Sequence, residues 1–208
     1  MNADPGPITV GVVLFPGFNL LDVFGPVELL GMLDDRAAIR LLAESPGPIE
    51  SDAGPAAVAD TALAEGGKLD VLLVPGGAGT RREVSNSAFL LELKRHSDRA
   101  HRVASVCTGS ALLAKAGILD GRNATSNKRA FAWAVSQGPK VNWIASARWV
   151  EDGKFFTSSG VAAGMDMALG LIAQLFGRDT SLAVAQRAEY EWHEDKGWDP
   201  FAHMNGLV

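Results

Sequence analysis

The sequence predicts an α/β sandwich in which helices cover both faces of a mostly parallel β-sheet. Short β-branched apolar runs alternate along the 208 residues with segments of helical periodicity, an alternation typical of right-handed βαβ units. Three of these runs end at Pro16-Gly17, Pro75-Gly76 and Cys107. Because the carboxyl ends of parallel strands meet at one edge of a sheet, where ligands bind, we expect these three segments to meet in space.

In the first half of the chain, apolar runs that stop at turn residues predict buried strands. These strands are Ile8–Phe15, Ile39–Ala43, Asp70–Val74 and Arg102–Val106. The turn-rich stretches 45–48 and 52–55 predict a hairpin-like excursion. The helical spacing of Leu20, Leu21, Phe24, Val27, Leu30 and Leu33 predicts a first helix, in which Pro26 is tolerated within the first turn if the helix begins near Gly25. Two further helices are predicted at Ser85–His96 and Gly109–Ala116.

The second half continues the pattern with shorter strands, predicted at Val141–Ile144, Arg148–Glu151 and Lys154–Thr157. Its helices are predicted at Arg129–Val135, Val161–Phe176 and Ser181–Glu191. We found no internal repeat or linker, so residues 1–208 are predicted to form one domain, with a core of about 8–191 and a Trp- and His-rich tail of 192–208.

Composition narrows the function classes. A net charge of −5 argues against an extended nucleic-acid surface, and we interpret Lys128-Arg129 as a solvated helix start. The single cysteine excludes an intramolecular disulfide and favours a reducing, cytoplasmic compartment. Residues 1–7 lack the features of a signal peptide. The apolar stretch 161–176 is too short and too polar to span a membrane. We therefore expect neither a nucleic acid nor a membrane as partner.

Cys107 is the most informative residue. It lies between a predicted strand and a predicted helix, and the pattern Ser105-x-Cys107-x-Gly109 is similar to the nucleophile elbow Gly-x-Ser-x-Gly. The positive end of a helix dipole stabilises a thiolate, so this position favours a reactive cysteine. The alternative is a small buried hydrophobic residue, the commoner role of an unpaired cysteine.

Two other segments supply candidate partners. Gly76 and Gly77 follow a buried strand, and their N–H groups, with that of Thr108, can form an oxyanion hole; a plain tight turn is the alternative. Asp22 lies among large apolar residues and is either a helix N-cap or a buried functional carboxylate. Its nearest rival is Glu28, which can instead point outward.

These segments together resemble the ThiJ/PfpI (DJ-1) superfamily. The resemblance rests on five motifs: Leu14-Phe15-Pro16-Gly17-Phe18, Leu21-Asp22-Val23-Phe24-Gly25-Pro26, Val74-Pro75-Gly76-Gly77, Ser105-Val106-Cys107-Thr108-Gly109-Ser110 and the run 157–166. The second and fourth are most similar to the isocyanide hydratase branch. The resemblance implies a flavodoxin-like fold, a homodimer, and an Asp22 carboxyl hydrogen-bonded to the Cys107 sulfur. AraC-like regulators fuse such a domain to DNA-binding helices, a module that we do not expect here.

The chain departs from the family at the histidine that many members place near the cysteine. The two positions where that histidine occurs hold Thr108 and Asn127 here. The resemblance to the hydratase branch implies that the Thr108 hydroxyl orients Asp22 or a water. Asn127 is expected to bond Thr125, to hold substrate or to cap the helix that follows. The four histidines are expected to have other roles. His96 and His101 are expected on the solvated surface, and His203 lies in the tail. His193 is the best candidate among them to approach a site, for example across a dimer interface.

Further residues are expected to be structural. Asp166, in an apolar helix, needs a polar partner when buried, and the aromatic residues are expected in the core or an interface. These are Phe131, Trp133, Trp143 and Trp149. No motif has metal-ligand or dinucleotide spacing, so we predict no metal and no cofactor.

The hypothesis that follows is a cysteine-dependent hydro-lyase acting on a small molecule. Cys107 attacks an isocyanide, Asp22 moves the proton, and the N–H groups of Gly77 and Thr108 stabilise charge. Two alternatives stay open: a glyoxalase- or deglycase-like enzyme acting on small aldehydes, and a non-enzymatic domain that senses a ligand or an oxidant through Cys107. A third and weaker alternative is the ligand-binding half of a transcription regulator, since the DNA-binding module is not expected here.

Overall fold

The computed structural model describes residues 6–208, so most of the segment 1–7, which lacks the features of a signal peptide, lies outside the described residues. Its central sheet has seven strands in the order β10-β11-β7-β6-β1-β2-β5. The strands of this sheet are β1 (Ile8–Val13), β2 (Ala37–Ala43), β5 (Thr61–Ala62), β6 (Val71–Val74), β7 (Arg102–Ser105), β10 (Trp149–Asp152) and β11 (Phe155–Ser158). All neighbouring pairs are parallel except β10 with β11. The predicted mostly parallel α/β sandwich is therefore confirmed.

The helices are α1 (Leu20–Gly31), α2 (Thr80–Glu83), α3 (Ser87–Arg99), α4 (Gly109–Lys115), α5 (Phe131–Gln137), α6 (Ala163–Phe176), α7 (Arg178–Arg187) and α8 (Pro200–Met204). The connection from β1 to β2 runs toward one edge of the sheet, whereas the connection from β6 to β7 runs toward the opposite edge. Right-handed crossovers in opposite directions place α1 and α3 on opposite faces. The point where the direction reverses lies between β1 and β6, which is where such sheets bind ligands.

Two small sheets lie outside this core. The expected hairpin is present as β3 (Gly47–Glu50) paired antiparallel with β4 (Ala56–Ala59). A short parallel pair joins β8 (Asn123–Ala124) to β9 (Asn142–Trp143). Among residues 6–208, no helix is long and apolar enough to cross a membrane.

The predicted start of the first helix is wrong. Helix α1 begins at Leu20 rather than near Gly25, because the Asn19 side chain caps it by accepting the N–H of Asp22. Pro26 thus lies inside the helix, where it has no N–H to offer the carbonyl of Asp22. The change in boundary matters because it brings Asp22 into the first turn of α1, the helix that follows β1.

Two predictions about surface residues are also wrong. His96 is 3% exposed, and its Nε2 lies 2.7 Å from the carbonyl oxygen of Leu63. Lys128 is 4% exposed, and its ammonium donates to Thr125 Oγ1 at 2.8 Å and to the carbonyl of Ala147 at 2.5 Å. Both polar groups form internal hydrogen bonds, which offset the cost of removing them from water. A pattern of neighbouring residue types does not reveal such partners.

Candidate active site

The predicted elbow is present at the carboxyl end of β7. Cys107 has a φ of +57°, a left-handed conformation that a non-glycine residue adopts only when its surroundings impose it. Its N–H donates to the carbonyls of Ser158 and Ser159, and its own carbonyl accepts the hydroxyls of Ser110 and Ser126. Four partners from three segments thus hold the strained residue in place.

Gly109 is required for the tight approach of this elbow to β6. A Cβ at Gly109 would lie 2.2 Å from the carbonyl oxygen of Val74 and 2.8 Å from that of Pro75. Both are backbone atoms of the neighbouring strand end, so neither can move aside cheaply. The glycine lets the end of β6 and the start of α4 meet directly beside Cys107.

The Cys107 thiol is buried, with 7% of the residue exposed. Burial and the neighbouring Asp22 carboxylate raise the pKa of the thiol to about 12, although the N–H groups of Thr108 and Val161 and the Asn127 side chain act to lower it. Desolvation and a like charge outweigh the nearby donors and favour the neutral thiol, in the opposite direction to the thiolate expected at a helix N-terminus.

Asp22 is the acid beside this thiol. It is fully buried, and its Oδ2 accepts the N–H of Gly76 at 2.9 Å. Its Oδ1 lacks a partner of regular hydrogen-bond geometry among the described residues. Burial raises the pKa of Asp22 to about 7, while the Gly76 N–H and the Cys107 thiol partly offset that rise. The N-cap alternative for Asp22 is wrong because Asn19 has that role, and Glu28 is exposed, as anticipated.

The carboxyl and the thiol form a proton-transfer pair. With a pKa of about 7, Asp22 exchanges its proton near neutral pH, whereas the raised pKa of the thiol beside it favours the protonated form. A carboxylate in this environment is a stronger base than an ordinary aspartate and can accept the S–H proton once sulfur begins to attack an electrophile. The pair needs no histidine for this step.

The loop of Gly76 and Gly77 does not leave free donors. The Gly76 N–H is bound to Asp22, and the Gly77 N–H donates to Thr108 Oγ1 at 3.2 Å. The prediction that both N–H groups are available as an oxyanion hole is therefore wrong for the resting geometry. Nor does the Thr108 hydroxyl orient Asp22: it interacts with Gly77 and with Thr80 Oγ1 at 3.1 Å.

A cavity of about 610 Å³ opens onto Cys107. Asn127 lines it, and its Oδ1 accepts the Ala130 N–H in the turn before α5, which matches the capping role considered for it. The Asn127 side chain also lowers the pKa of the Cys107 thiol, a contact that the sequence did not predict. Sequence reasoning missed Arg81 and Trp133 as cavity residues. The only signal in the sequence concerns Arg81, which lies a few residues after Gly76 and Gly77 at the end of a predicted strand.

The histidines do not enter this cavity. None of His96, His101, His193 and His203 lines it. His193 is exposed, and its backbone N–H donates to Asp166, whose carboxylate also pairs with Arg148 at 2.6 Å. Asp166 thus has the polar partners that its burial requires. Among residues 6–208, no three His, Cys, Asp or Glu residues group as metal ligands.

Known proteins resemble this chain over most of its length. A model of the DJ-1/PfpI family matches residues 8–174. The isonitrile hydratase of Pseudomonas putida is 35% identical over 185 residues, which cover 88% of this chain and 78% of that enzyme. The regulator GbdR of Pseudomonas aeruginosa is 29% identical and covers 96% of this chain, which spans 56% of the regulator. The crystal structure of a ThiJ/PfpI family protein from Pseudomonas syringae matches with a TM-score of 0.79 and 32% identity, and the match covers 92% of this chain and 79% of that protein's chain.

Proposed function

The chain belongs to the DJ-1/PfpI family, as its motifs predicted, and we propose that it is an isocyanide hydratase-like enzyme. The reaction joins an isocyanide and water into an N-substituted formamide. The observation that carries this proposal is the pair formed by the Asp22 carboxyl, with a pKa of about 7, and the buried Cys107 thiol. The similarity to an isonitrile hydratase supports the same reaction.

In the first half-reaction, the Asp22 carboxylate takes the S–H proton as sulfur attacks the terminal carbon of the isocyanide. A carbon–sulfur bond forms, and the proton passes from Asp22 to that carbon, which leaves a thioimidate on Cys107. Proton transfer coupled to attack suits a thiol whose pKa is raised to about 12, because a free thiolate is scarce at neutral pH. One carboxyl group acts as base and then as acid.

In the second half-reaction, Asp22 accepts a proton from water as the water oxygen adds to the thioimidate carbon, and Asp22 then passes that proton to the nitrogen, which regenerates the carboxylate. The carbon–sulfur bond then breaks, the new C=O bond forms, and the remaining hydroxyl proton returns to sulfur through Asp22. The balance is one isocyanide and one water consumed for one formamide released. Asn127 lies beside the sulfur and can donate to the oxygen added at that carbon, a role that the occupied Gly76 and Gly77 N–H groups are poorly placed to fill.

The test is product formation from a simple alkyl isocyanide, followed by NMR. We expect the wild-type protein to form the formamide and Cys107→Ala to form none, with the exposed Glu28→Gln as a control for expression and folding. Formamide production by Cys107→Ala would refute the nucleophilic role. Turnover of methylglyoxal without turnover of isocyanide would instead assign the protein to the glyoxalase-like alternative.

The oxidant-sensing alternative has less support in the site. Oxidation to sulfenic and sulfinic acids starts from the thiolate, and burial together with Asp22 raises the pKa of Cys107 to about 12. Mild peroxide followed by peptide mass spectrometry separates the two functions. Selective oxidation of Cys107 in a protein that turns over neither isocyanide nor aldehyde would favour sensing.

A further inference from the structure

Arg81 is a cavity-wall residue that the proposed reaction does not use. Its guanidinium lies 3.6 Å above the centroid of the Trp133 ring, and its Nη1 donates to Thr80 Oγ1 at 3.1 Å. Thr80 is fully buried and hydrogen-bonds the Thr108 hydroxyl at 3.1 Å. A continuous chain of contacts therefore runs from the residue after Cys107 to the guanidinium, which is held between an aromatic ring and a hydroxyl.

The charge of Arg81 is not balanced within the protein. Among residues 6–208, no carboxylate pairs with it, whereas its neighbour Arg82 pairs with Glu83 at 2.6 Å. The other charged residues lining the cavity are Arg129 and Asp52, and the Asp52 carboxylate accepts the Asn19 amide at 3.4 Å. Two cations and one anion line the cavity, and the Asp22 carboxyl lies beside Cys107 without lining it. The unpaired positive charge is therefore local to the Arg81 guanidinium and is not a property of the cavity as a whole.

We propose that the cavity selects isocyanides that carry a carboxylate, which Arg81 binds; this rests on the proposed function. A guanidinium fixed against a ring presents its remaining N–H groups in a rigid fork that matches a carboxylate. The indole of Trp133 offers apolar surface to a short alkyl chain between the two ends of such a substrate. Arg81 is then a specificity-determining residue, and an ammonium group in the same place would be repelled by it.

Binding is tested first with inert probes, so that the result does not depend on turnover. Butanoate and butanamide have nearly the same shape and differ in charge, and each is measured as protection of Cys107 against iodoacetamide in alkaline buffer. We expect butanoate to protect at roughly tenfold lower concentration, as a charged hydrogen bond of ordinary strength provides. Arg81→Gln should abolish this difference, and Arg99→Gln, which removes an exposed charge at the end of α3, should preserve it.

Catalytic preference is tested with 3-isocyanopropanoate and 3-isocyanopropanamide. We expect kcat/KM to favour the carboxylate by roughly tenfold, a ratio that Arg81→Gln should bring close to one. Equal protection by both probes, or a preference that survives in Arg81→Gln, would overturn the assignment. Arg81-dependent protection without turnover of either isocyanide would support the anion site and refute the isocyanide hydratase proposal.

Discussion

Replacing Asp22 by Asn separates two effects of this residue: its negative charge raises the pKa of the Cys107 thiol, and its carboxyl group carries protons in the proposed reaction. The amide keeps an oxygen that can accept the Gly76 N–H but carries no negative charge. Adjacent like charges at an effective dielectric of about 20 repel by roughly 3 kcal/mol, or roughly 2 pK units. The pKa of the Cys107 thiol, now about 12 with Asp22 as one cause, should therefore fall by that amount.

The consequence is a cysteine that is easier to alkylate in an enzyme that is much less active. The thiolate fraction below both pKa values rises about a hundredfold, and the lower nucleophilicity of the weaker base reduces the net gain to about tenfold. Hydration should fall by roughly 10²–10⁴ because the proton carrier is gone.

Iodoacetamide kinetics across pH, followed by intact mass, measure the first effect, and formamide NMR measures the second. Glu28→Gln removes a carboxylate from the same helix at an exposed position and should change neither. Unchanged alkylation in Asp22→Asn would refute the electrostatic coupling, and unchanged hydration would refute the acid–base role.

Three further predictions concern pH and stability. Because the ionised Asp22 is the base and its pKa is about 7, kcat/KM should rise roughly tenfold between about pH 6 and about pH 8; a falling profile would contradict this. Since burial raises the pKa of Asp22 from 3.8 to about 7, the folded state loses stability as pH rises through that window. Asp22→Asn should therefore be more stable above pH 7, by up to about 4 kcal/mol in urea titrations, with the gain shrinking in acid. Asp199→Ala leaves the Lys128 ammonium buried without the carboxylate 4.0 Å away and should cost about 3 kcal/mol at neutral pH. The cost should be smaller in alkali, because burial lowers the pKa of Lys128 to about 8; a cost independent of pH would count against the charge effect.

Much of the fold was predictable because apolar runs and turn residues are local signals. The elbow at Cys107 follows from a buried strand, a cysteine and a glycine in close succession, and the structure has that arrangement. The start of α1 was missed because Pro26 suggested a helix beginning nearby, whereas the Asn19 side chain sets the boundary. A side-chain cap competes with proline as a signal and is weak in a single sequence.

The protonation state of the site was less predictable, because it depends on burial and on contacts distant in sequence. The local pattern at Cys107 suggested a thiolate, but the fold encloses the sulfur and sets Asp22 beside it. The free N–H groups expected at Gly76 and Gly77 are occupied by Asp22 and Thr108, which are 54 and 31 residues away. Such pairings arise only when the strand ends meet.

The same reason explains the missed buried lysine and the missed cavity arginine. Lys128 finds its acceptors in Thr125 and Ala147, and Arg81 finds its ring in Trp133. A basic residue at a helix start is usually solvated, which fails for the buried Lys128 but holds for Arg81, whose side chain is exposed. What the sequence does not reveal in either case is the partner distant in the chain.

The most direct test of the cysteine–carboxylate mechanism is rapid-quench mass spectrometry of the Cys107 peptide during isocyanide turnover. The mechanism predicts a transient gain equal to one whole isocyanide on Cys107, formed and lost at rates that account for formamide production. Cys107→Ala should show neither the gain nor the product. Steady formamide production while Cys107 stays unmodified at every time point would contradict the covalent route.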